Sequence, residues 1–137
     1  MTHRTRAVAA ALALTAALSA CASIDDTLRD AADTGVAAVG SSAIAAEQHE
    51  SERLLGPPTD TVFSDAIAEL TDASRAVLEL TPADADAADR RDDVEHALRE
   101  ALDVVTGARA ALARGDALDG WAERLRAARD GLEGAAG

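Results

Sequence analysis

The stretch that decides the fold runs from Val94 to Leu112 and reads VEHALREALDVVTGARAAL. Its apolar side chains recur in steps of four, three, four, three and four residues: Val94, Leu98, Ala101, Val105, Ala108 and Leu112. This spacing is a heptad pattern, which places all six side chains on one face of a helix. Leu102 and Val104 lie beside the seam and widen it, which favours a bundle over a two-stranded coiled coil.

Signals at both ends predict that this helix covers about 83–114. Thr81 followed by Pro82 is typical of an N-cap and a first-turn proline, and Asp84 then falls at the third helical position. Gly115 is a typical helix stop.

Two further stretches have the same helical period. A helix at about 61–80 is predicted from Phe63, Ala66, Leu70, Ala73, Val77 and Leu80. Another at about 117–133, with Asp116 as its N-cap, is predicted from Leu118, Trp121, Leu125, Ala128 and Leu132. Trp121 is expected to lie in the core, the alternative being an anchor for a partner protein.

The region 24–55 has a looser stripe, formed by Leu28, Ala32, Val39, Ala43, Ala46 and Leu54. A kink or break is predicted near Gly40, because each glycine in a helix interior costs about 1 kcal/mol relative to alanine. The sequence Gly56-Pro57-Pro58 predicts a firm end to this first helix.

Short connections between these helices predict antiparallel neighbours. The fold class is therefore all-α, an up-down antiparallel bundle of three to four helices. Alanine alternates with larger residues along the seams, which limits the apolar area buried at about 25 cal/mol per Å². We therefore expect marginal stability, with thermal melting below about 90 °C.

The first twenty residues have a different character. Arg4 and Arg6 precede an uncharged run, 7–20, in which three leucines lie among alanines. A basic start, an apolar middle and a small-residue end are typical of a secretory signal peptide. The run is too short and too rich in alanine for a spanning helix, which needs about 20 strongly apolar residues. We expect 1–20 to be a signal peptide and 21–137 to be the folded domain.

The run ends in Leu18-Ser19-Ala20-Cys21, which resembles the lipobox of bacterial lipoproteins. The resemblance implies cleavage between Ala20 and Cys21, with a diacylglyceryl group on the sulfur and an acyl group on the new amino terminus of Cys21. It also implies a protein held by lipid on the extracytoplasmic face of the cell membrane. Two acyl chains give stable anchoring, at about 0.8 kcal/mol per buried CH₂. The alternative is an ordinary secreted protein with a lone free thiol.

Composition narrows the possible partners. All 13 basic residues are arginine, a bias similar to that of high-GC genomes such as those of actinobacteria. Without Arg4 and Arg6, the remaining 11 arginines face 25 acidic residues, a net charge of −14. Such a surface repels nucleic acid and anionic lipid, so the lipid would have to hold the protein at the membrane. Phe63 and Trp121 are the only aromatic residues, which excludes stacking platforms and aromatic cages.

Four potential metal ligands fall along the heptad helix: Asp92, Asp93, His96 and Glu100. Imidazole and carboxylate groups can bind Zn²⁺ or another divalent ion. The heptad places His96 at position f, the most exposed one, which favours a solvated face instead. Asp93-x-x-His96 is similar to half of the Glu-x-x-His motif of ferritin-like di-iron bundles, but no second pair completes it. We therefore expect no metal and no cofactor.

Two acidic features of the sequence can each be interpreted in two ways. His49 lies among Glu47, Glu50 and Glu52, either as a pH-responsive spot or as a polar helix end. Carboxylates recur every seven residues at Asp65, Asp72 and Glu79, either as a ridge for a basic partner or as a solvated face.

No arrangement of residues indicates catalysis. The serines lack a Gly-x-Ser-x-Gly elbow, and no glycine-rich phosphate loop is present. The leading hypothesis is a lipid-anchored scaffold or accessory subunit that binds another envelope protein. The alternative is a lipoprotein that binds a small solute or a metal.

Overall fold

The computed structural model describes residues 23–137, and within this range it contains four α-helices and no strand. They are α1 (Ile24–Glu50), α2 (Gly56–Leu78), α3 (Ala85–Arg114) and α4 (Trp121–Ala135). Helices α1 and α3 each pack against both α2 and α4, and they also meet each other across the bundle. The predicted all-α up-down bundle is confirmed, with four helices. The predicted signal peptide and Cys21 lie outside the described residues.

The core is built from the seams that the sequence predicted. In α3, Leu112 is half-buried and the other five heptad residues are buried. The largest fully buried side chains lie on α2, α3 and α4 and in the α3–α4 connection, and none lies on α1. They are Phe63, Leu70, Leu98, Leu118, Leu125 and Leu132. Helix α1 contributes mainly alanines and Val39 to this core, so the helices approach closely and bury little area per residue.

Three helices approach one another closely at Gly35 of α1. A Cβ atom at this position would lie 2.9 Å from Leu98 Cδ2 and 3.0 Å from Leu132 Cδ1. Both leucines are fully buried. The missing side chain therefore lets α1 contact α3 and α4 at the same point.

The break predicted near Gly40 is wrong, because α1 is one continuous helix from Ile24 to Glu50. The neighbouring residues Val39, Ser42 and Ala43 are buried against the rest of the bundle. Ser42 donates its hydroxyl to the Ala38 carbonyl at 3.0 Å, so burial leaves no polar atom without a partner there. Core packing outweighs the cost of about 1 kcal/mol for a helical glycine.

The boundary between the first two helices also differs from the prediction. Helix α1 ends at Glu50 rather than near residue 55, and α2 begins at Gly56 rather than near residue 61. Pro57 and Pro58 lie in the first turn of α2, where a residue needs no N–H group for an intrahelical hydrogen bond. The Gly-Pro-Pro sequence therefore starts a helix.

The N-caps of the last two helices lie at other residues than predicted. Helix α3 begins after Asp84, whose Oδ1 accepts a hydrogen bond from Ala87 N at 2.8 Å, and not after Thr81. Helix α4 begins at Trp121 with Gly120 as its N-cap, and Asp116 instead forms an ion pair with Arg114 at 2.8 Å. The stop at Gly115 is confirmed by its left-handed φ of 73°.

Three ion pairs connect neighbouring helices. They are Arg90–Asp25 at 3.1 Å, Arg109–Asp60 at 2.8 Å and Arg126–Glu47 at 2.6 Å. The hydrogen bonds and positive charge of Arg109 hold the pKa of Asp60 below its ordinary value, and Asp60 raises the pKa of Arg109. Surface pairs contribute about 0–1 kcal/mol each, so we assign them a role in helix register more than in stability.

Candidate functional site

A cleft of about 630 Å³ opens at one end of the bundle, between the α1–α2 connection and the α3–α4 connection. We call it the loop cleft; it is lined by His49, Glu50, Glu52, Leu54, Leu55, Gly56, Ala117, Leu118 and Asp119. The two connections meet there because both follow a helix that runs toward this end. Residues about 65 positions apart in sequence thus share one surface.

The α1–α2 connection is held firmly by backbone hydrogen bonds. Arg53 N and Leu54 N both donate to the Gln48 carbonyl, at 2.8 and 3.1 Å. Glu52 N donates to the His49 carbonyl at 3.0 Å, and Glu52 has a left-handed φ of 56°. A residue with a Cβ atom rarely adopts this conformation, so the turn is fixed by its hydrogen bonds and not by a glycine.

Two side chains, of which His49 lines the cleft, hold the backbone beside it. His49 Nδ1 donates to the Leu54 carbonyl at 3.1 Å, and this defines which ring nitrogen carries the proton. Thr59, fully buried, donates its hydroxyl to the Leu55 carbonyl at 2.9 Å. Within residues 23–137, no buried side-chain polar atom lacks a partner. The carbonyls on both sides of Leu55 Cα are therefore anchored from within the bundle.

The two adjacent leucines of this connection differ in burial. Leu54 packs partly into the core, whereas Leu55 is 73% exposed, more than any other large apolar side chain between residues 23 and 137. Ile44, in the last third of α1, is also 58% exposed. The loop end of the bundle therefore presents apolar surface that folding leaves uncovered.

The cleft is also negatively charged. Glu50, Glu52 and Asp119 line it, and none of the three forms an ion pair among the described residues. Nearby acidic residues differ, since Glu47 binds Arg126 and Asp116 binds Arg114. Three carboxylates without an ion pair thus line the same cleft as an exposed leucine.

His49 lies in the cleft that sequence reasoning had not foreseen. Of the three glutamates predicted around it, Glu50 and Glu52 line the same cleft and Glu47 turns to α4. The cleft itself was missed, because Leu55 and Asp119 come together only when the two connections meet. The pair Leu54-Leu55 directly before Gly56-Pro57-Pro58 was the available signal, since only one of two adjacent leucines can enter a core at a helix end.

The predicted metal ligands do not converge. His96 Nε2 lies 3.6 Å from Glu100 Oε1, and their side chains are 70% and 67% exposed. Asp92 instead binds Arg91 at 2.6 Å, and Asp93 lines a recess at the opposite end of the bundle. Between residues 23 and 137, no group of three or more His, Cys, Asp or Glu side chains could hold a metal ion.

Trp121 has a position between the two predicted alternatives. It is half-buried, and its ring lies against Gly107 of α3, where a Cβ atom would come within 2.6 Å of Cη2. The Arg124 guanidinium carbon lies 4.0 Å from the ring centroid, a cation–π contact. The indole is therefore engaged by its own bundle.

The acidic ridge along α2 is exposed, which fits both of its interpretations. Asp65, Asp72 and Glu79 are all exposed, and Asp72 binds Arg75 at 2.6 Å within the same helix. Asp72 also lines a recess between α1 and α2.

Fold and cleft together define an acidic four-helix bundle with a shallow, partly apolar cleft at its loop end. Comparison with protein-family models, curated proteins and solved structures finds no match to this chain. In the part of the chain from residue 23 onward, no helix combines the length and apolar character needed to cross a membrane.

Proposed function

We propose that this chain is a lipid-anchored, extracytoplasmic protein that acts as a scaffold or accessory subunit by binding another protein of the cell envelope. The observation that carries the proposal is the junction between the lipobox-like Leu18-Ser19-Ala20-Cys21 and the start of α1. Ser23 caps α1 by accepting from Asp26 N at 3.1 Å, while Asp26 accepts from Ser23 N at 3.3 Å. This reciprocal capping box fixes the start of the bundle two residues after Cys21.

The junction gives the proposed protein an orientation. With Cys21 in the membrane, the N-terminal end of α1 would lie near the lipid surface. The 27 residues of α1 span about 40 Å at 1.5 Å per residue, so the loop cleft would face away from the membrane. Free carboxylates near Leu55 would then be presented to other envelope proteins.

The anchor is tested by Cys21→Ala. We expect the parent protein to enter the detergent phase in phase partitioning and the variant to move to the aqueous phase, because the lipid attachment atom is lost. Ala22→Ser, which keeps the thiol, is the matched control and should behave as the parent. Detergent partitioning of Cys21→Ala equal to that of the parent would show that the anchor proposal is wrong.

The interaction role is tested by proximity labelling in the native membrane. A labelling enzyme fused to the carboxyl terminus should mark a reproducible set of envelope proteins with the parent and not with Cys21→Ala. The absence of any reproducible neighbour would contradict the scaffold proposal.

A small-solute binder is the second candidate, and the volume of the cleft favours it. Its 630 Å³ lies within the range of about 300–1,000 Å³ typical of ligand pockets. The metal version depends on His96 and its exposed neighbours. Calorimetric titration of the full chain with Zn²⁺, Cu²⁺ and Ca²⁺ should give no heat in the micromolar range, and saturable heat lost in His96→Ala would favour the metal binder.

A further inference from the structure

We infer that the loop cleft binds a short segment of a partner protein in which an apolar residue is flanked by arginine or lysine. This inference rests on the proposed function for the class of partner, and it assigns the surface that the partner uses. The segment is defined by the chemistry of the cleft, which combines one exposed leucine with three free carboxylates.

The apolar part of the argument concerns Leu55. A leucine that is 73% exposed leaves apolar area in water, and burying it against a partner is favourable. Its backbone is already fixed by Thr59, by His49 and by the two hydrogen bonds to Gln48. A partner therefore meets an ordered apolar contact and loses little free energy in ordering it.

The charged part of the argument concerns Glu50, Glu52 and Asp119. These groups line the same cleft as Leu55, and no arginine between residues 23 and 137 forms an ion pair with them. Arg53, the nearest cation in sequence, lines a separate groove with Ile44 and Glu47. A cationic segment would supply the missing countercharges, whereas an acidic or purely apolar segment would leave the carboxylates desolvated without a partner.

Other surfaces fit a partner less well. The recess between α1 and α2 also holds two carboxylates that form no ion pair among the described residues, Asp30 and Glu69, but its apolar lining is alanine and includes no exposed large side chain. The recess between α3 and α4 contains Arg124, which is engaged with Trp121. Leu78, 61% exposed, lies at the end of α2 opposite to the loop cleft. The combination of an exposed apolar side chain with free carboxylates is found at the loop cleft.

The experiment uses the full-length lipidated chain in detergent micelles and a fluorescent peptide, Gly-Arg-Leu-Leu-Arg-Gly, as the probe. Anisotropy titration should show saturable binding that weakens as salt is added. A peptide with glutamate in place of both arginines should not bind. Equal binding of the two peptides, or no saturation up to about 1 mM, a free energy of about −4.1 kcal/mol, would overturn the inference.

Two matched double variants separate the cleft from the general negative charge of the protein. Glu50→Gln with Glu52→Gln should weaken the probe about tenfold. Asp65→Asn with Glu79→Gln removes the same charge from α2, outside the cleft, and should change the affinity less than about twofold. Equal weakening by both pairs would mean that the probe senses only overall charge, and the inference would be wrong.

A photoreactive residue at position 55 or at position 78 tests the same surface in the native membrane. Position 55 should form an adduct whose cross-linked segment contains arginine or lysine beside an apolar residue, and position 78 should not. Adducts only at position 78, or at neither position, would overturn the inference. Because binding of the peptide does not need the lipid, a failure of the peptide titration can be distinguished from a failure of the Cys21→Ala test.

Discussion

Gly35 and Gly131 both lie inside helices, but their surroundings give them different roles. A Cβ atom at position 35 would meet Leu98 and Leu132, whereas at position 131 nothing lies within 4 Å. At Gly35 the close approach of three helices requires the missing side chain. At Gly131 the glycine only weakens α4, because it enlarges the conformational freedom of the unfolded chain.

Alanine substitutions at the two glycines should therefore have opposite effects. Gly131→Ala should raise the free energy of unfolding by about 1 kcal/mol through helix propensity. Gly35→Ala gains the same propensity, but overpacking costs about 1–3 kcal/mol, so we expect a net loss of about 1 kcal/mol. Urea denaturation of both variants measures this, and a stabilised Gly35→Ala would contradict the close approach.

At the scale of the helix, a single hydrogen bond decides where α3 begins. Asp84 holds the start of α3 through Ala87 N, while Thr81 lies in the connection before it. Thr81-Pro82 has the sequence more typical of an N-cap and a first-turn proline, but the structure places the N-cap at Asp84.

The two cap candidates are compared by alanine substitution. Asp84→Ala should lower the free energy of unfolding by about 1 kcal/mol, the usual loss for an N-cap. Thr81→Ala, the matched control, should lie within about 0.5 kcal/mol of the parent. Thermal denaturation followed by circular dichroism measures both, and a larger loss for Thr81→Ala would mean that α3 begins earlier.

The contact between α2 and α3 should depend on pH through Asp60. Arg109 lowers the pKa of Asp60 in the folded state below the ordinary value of 3.8. A group of this kind stabilises the fold above its unfolded-state pKa, and the contribution is lost as the pH falls through the folded-state value. Asp60→Asn should therefore be less stable than the parent at pH 7, and the difference should shrink below about pH 4.

The control for this pH dependence is Asp65→Asn, which removes an exposed carboxylate from the same helix. Asp65 forms no ion pair within residues 23–137, so its variant should differ little from the parent at any pH. Equal pH profiles for the two variants, measured by urea denaturation, would argue against a role for the Asp60–Arg109 pair.

The whole molecule depends on one core that all four helices share. Large side chains are few, and Leu98 of α3 is fully buried where α1, α3 and α4 meet. Most of the other buried residues are alanines, and their short side chains cannot fill the space that the loss of a large residue would leave.

Alanine substitutions at one buried and one exposed helical leucine test this dependence. Leu98→Ala should lower the free energy of unfolding by about 2–5 kcal/mol because it removes buried contacts and leaves a cavity. Leu78→Ala, at an exposed site, should change it by no more than about 0.5 kcal/mol. Chemical denaturation of both variants provides the measurement, and similar losses would show that Leu98 does not lie in a shared core.

Periodicity predicted an all-α bundle of three to four helices and most of the side chains that they bury, because its spacing shows which side chains share one helix face. The stop at Gly115 was equally readable, since glycine readily adopts the left-handed conformation that ends a helix. His96 could be placed on the exposed face for the same reason, because its heptad position lies opposite the seam. These properties belong to single helices and need no knowledge of how the helices pack.

Tertiary packing decided the features that require contacts between residues distant in sequence. It kept α1 helical through Gly40, since burial in the core outweighs a local propensity. It brought Leu55 and Asp119 to one cleft, since two connections meet only after the helices have paired. The sequence by itself determined an all-α chain with a lipobox-like start. The free carboxylates around Leu55 became visible only once the ion pairs of the folded bundle showed which acidic residues have partners.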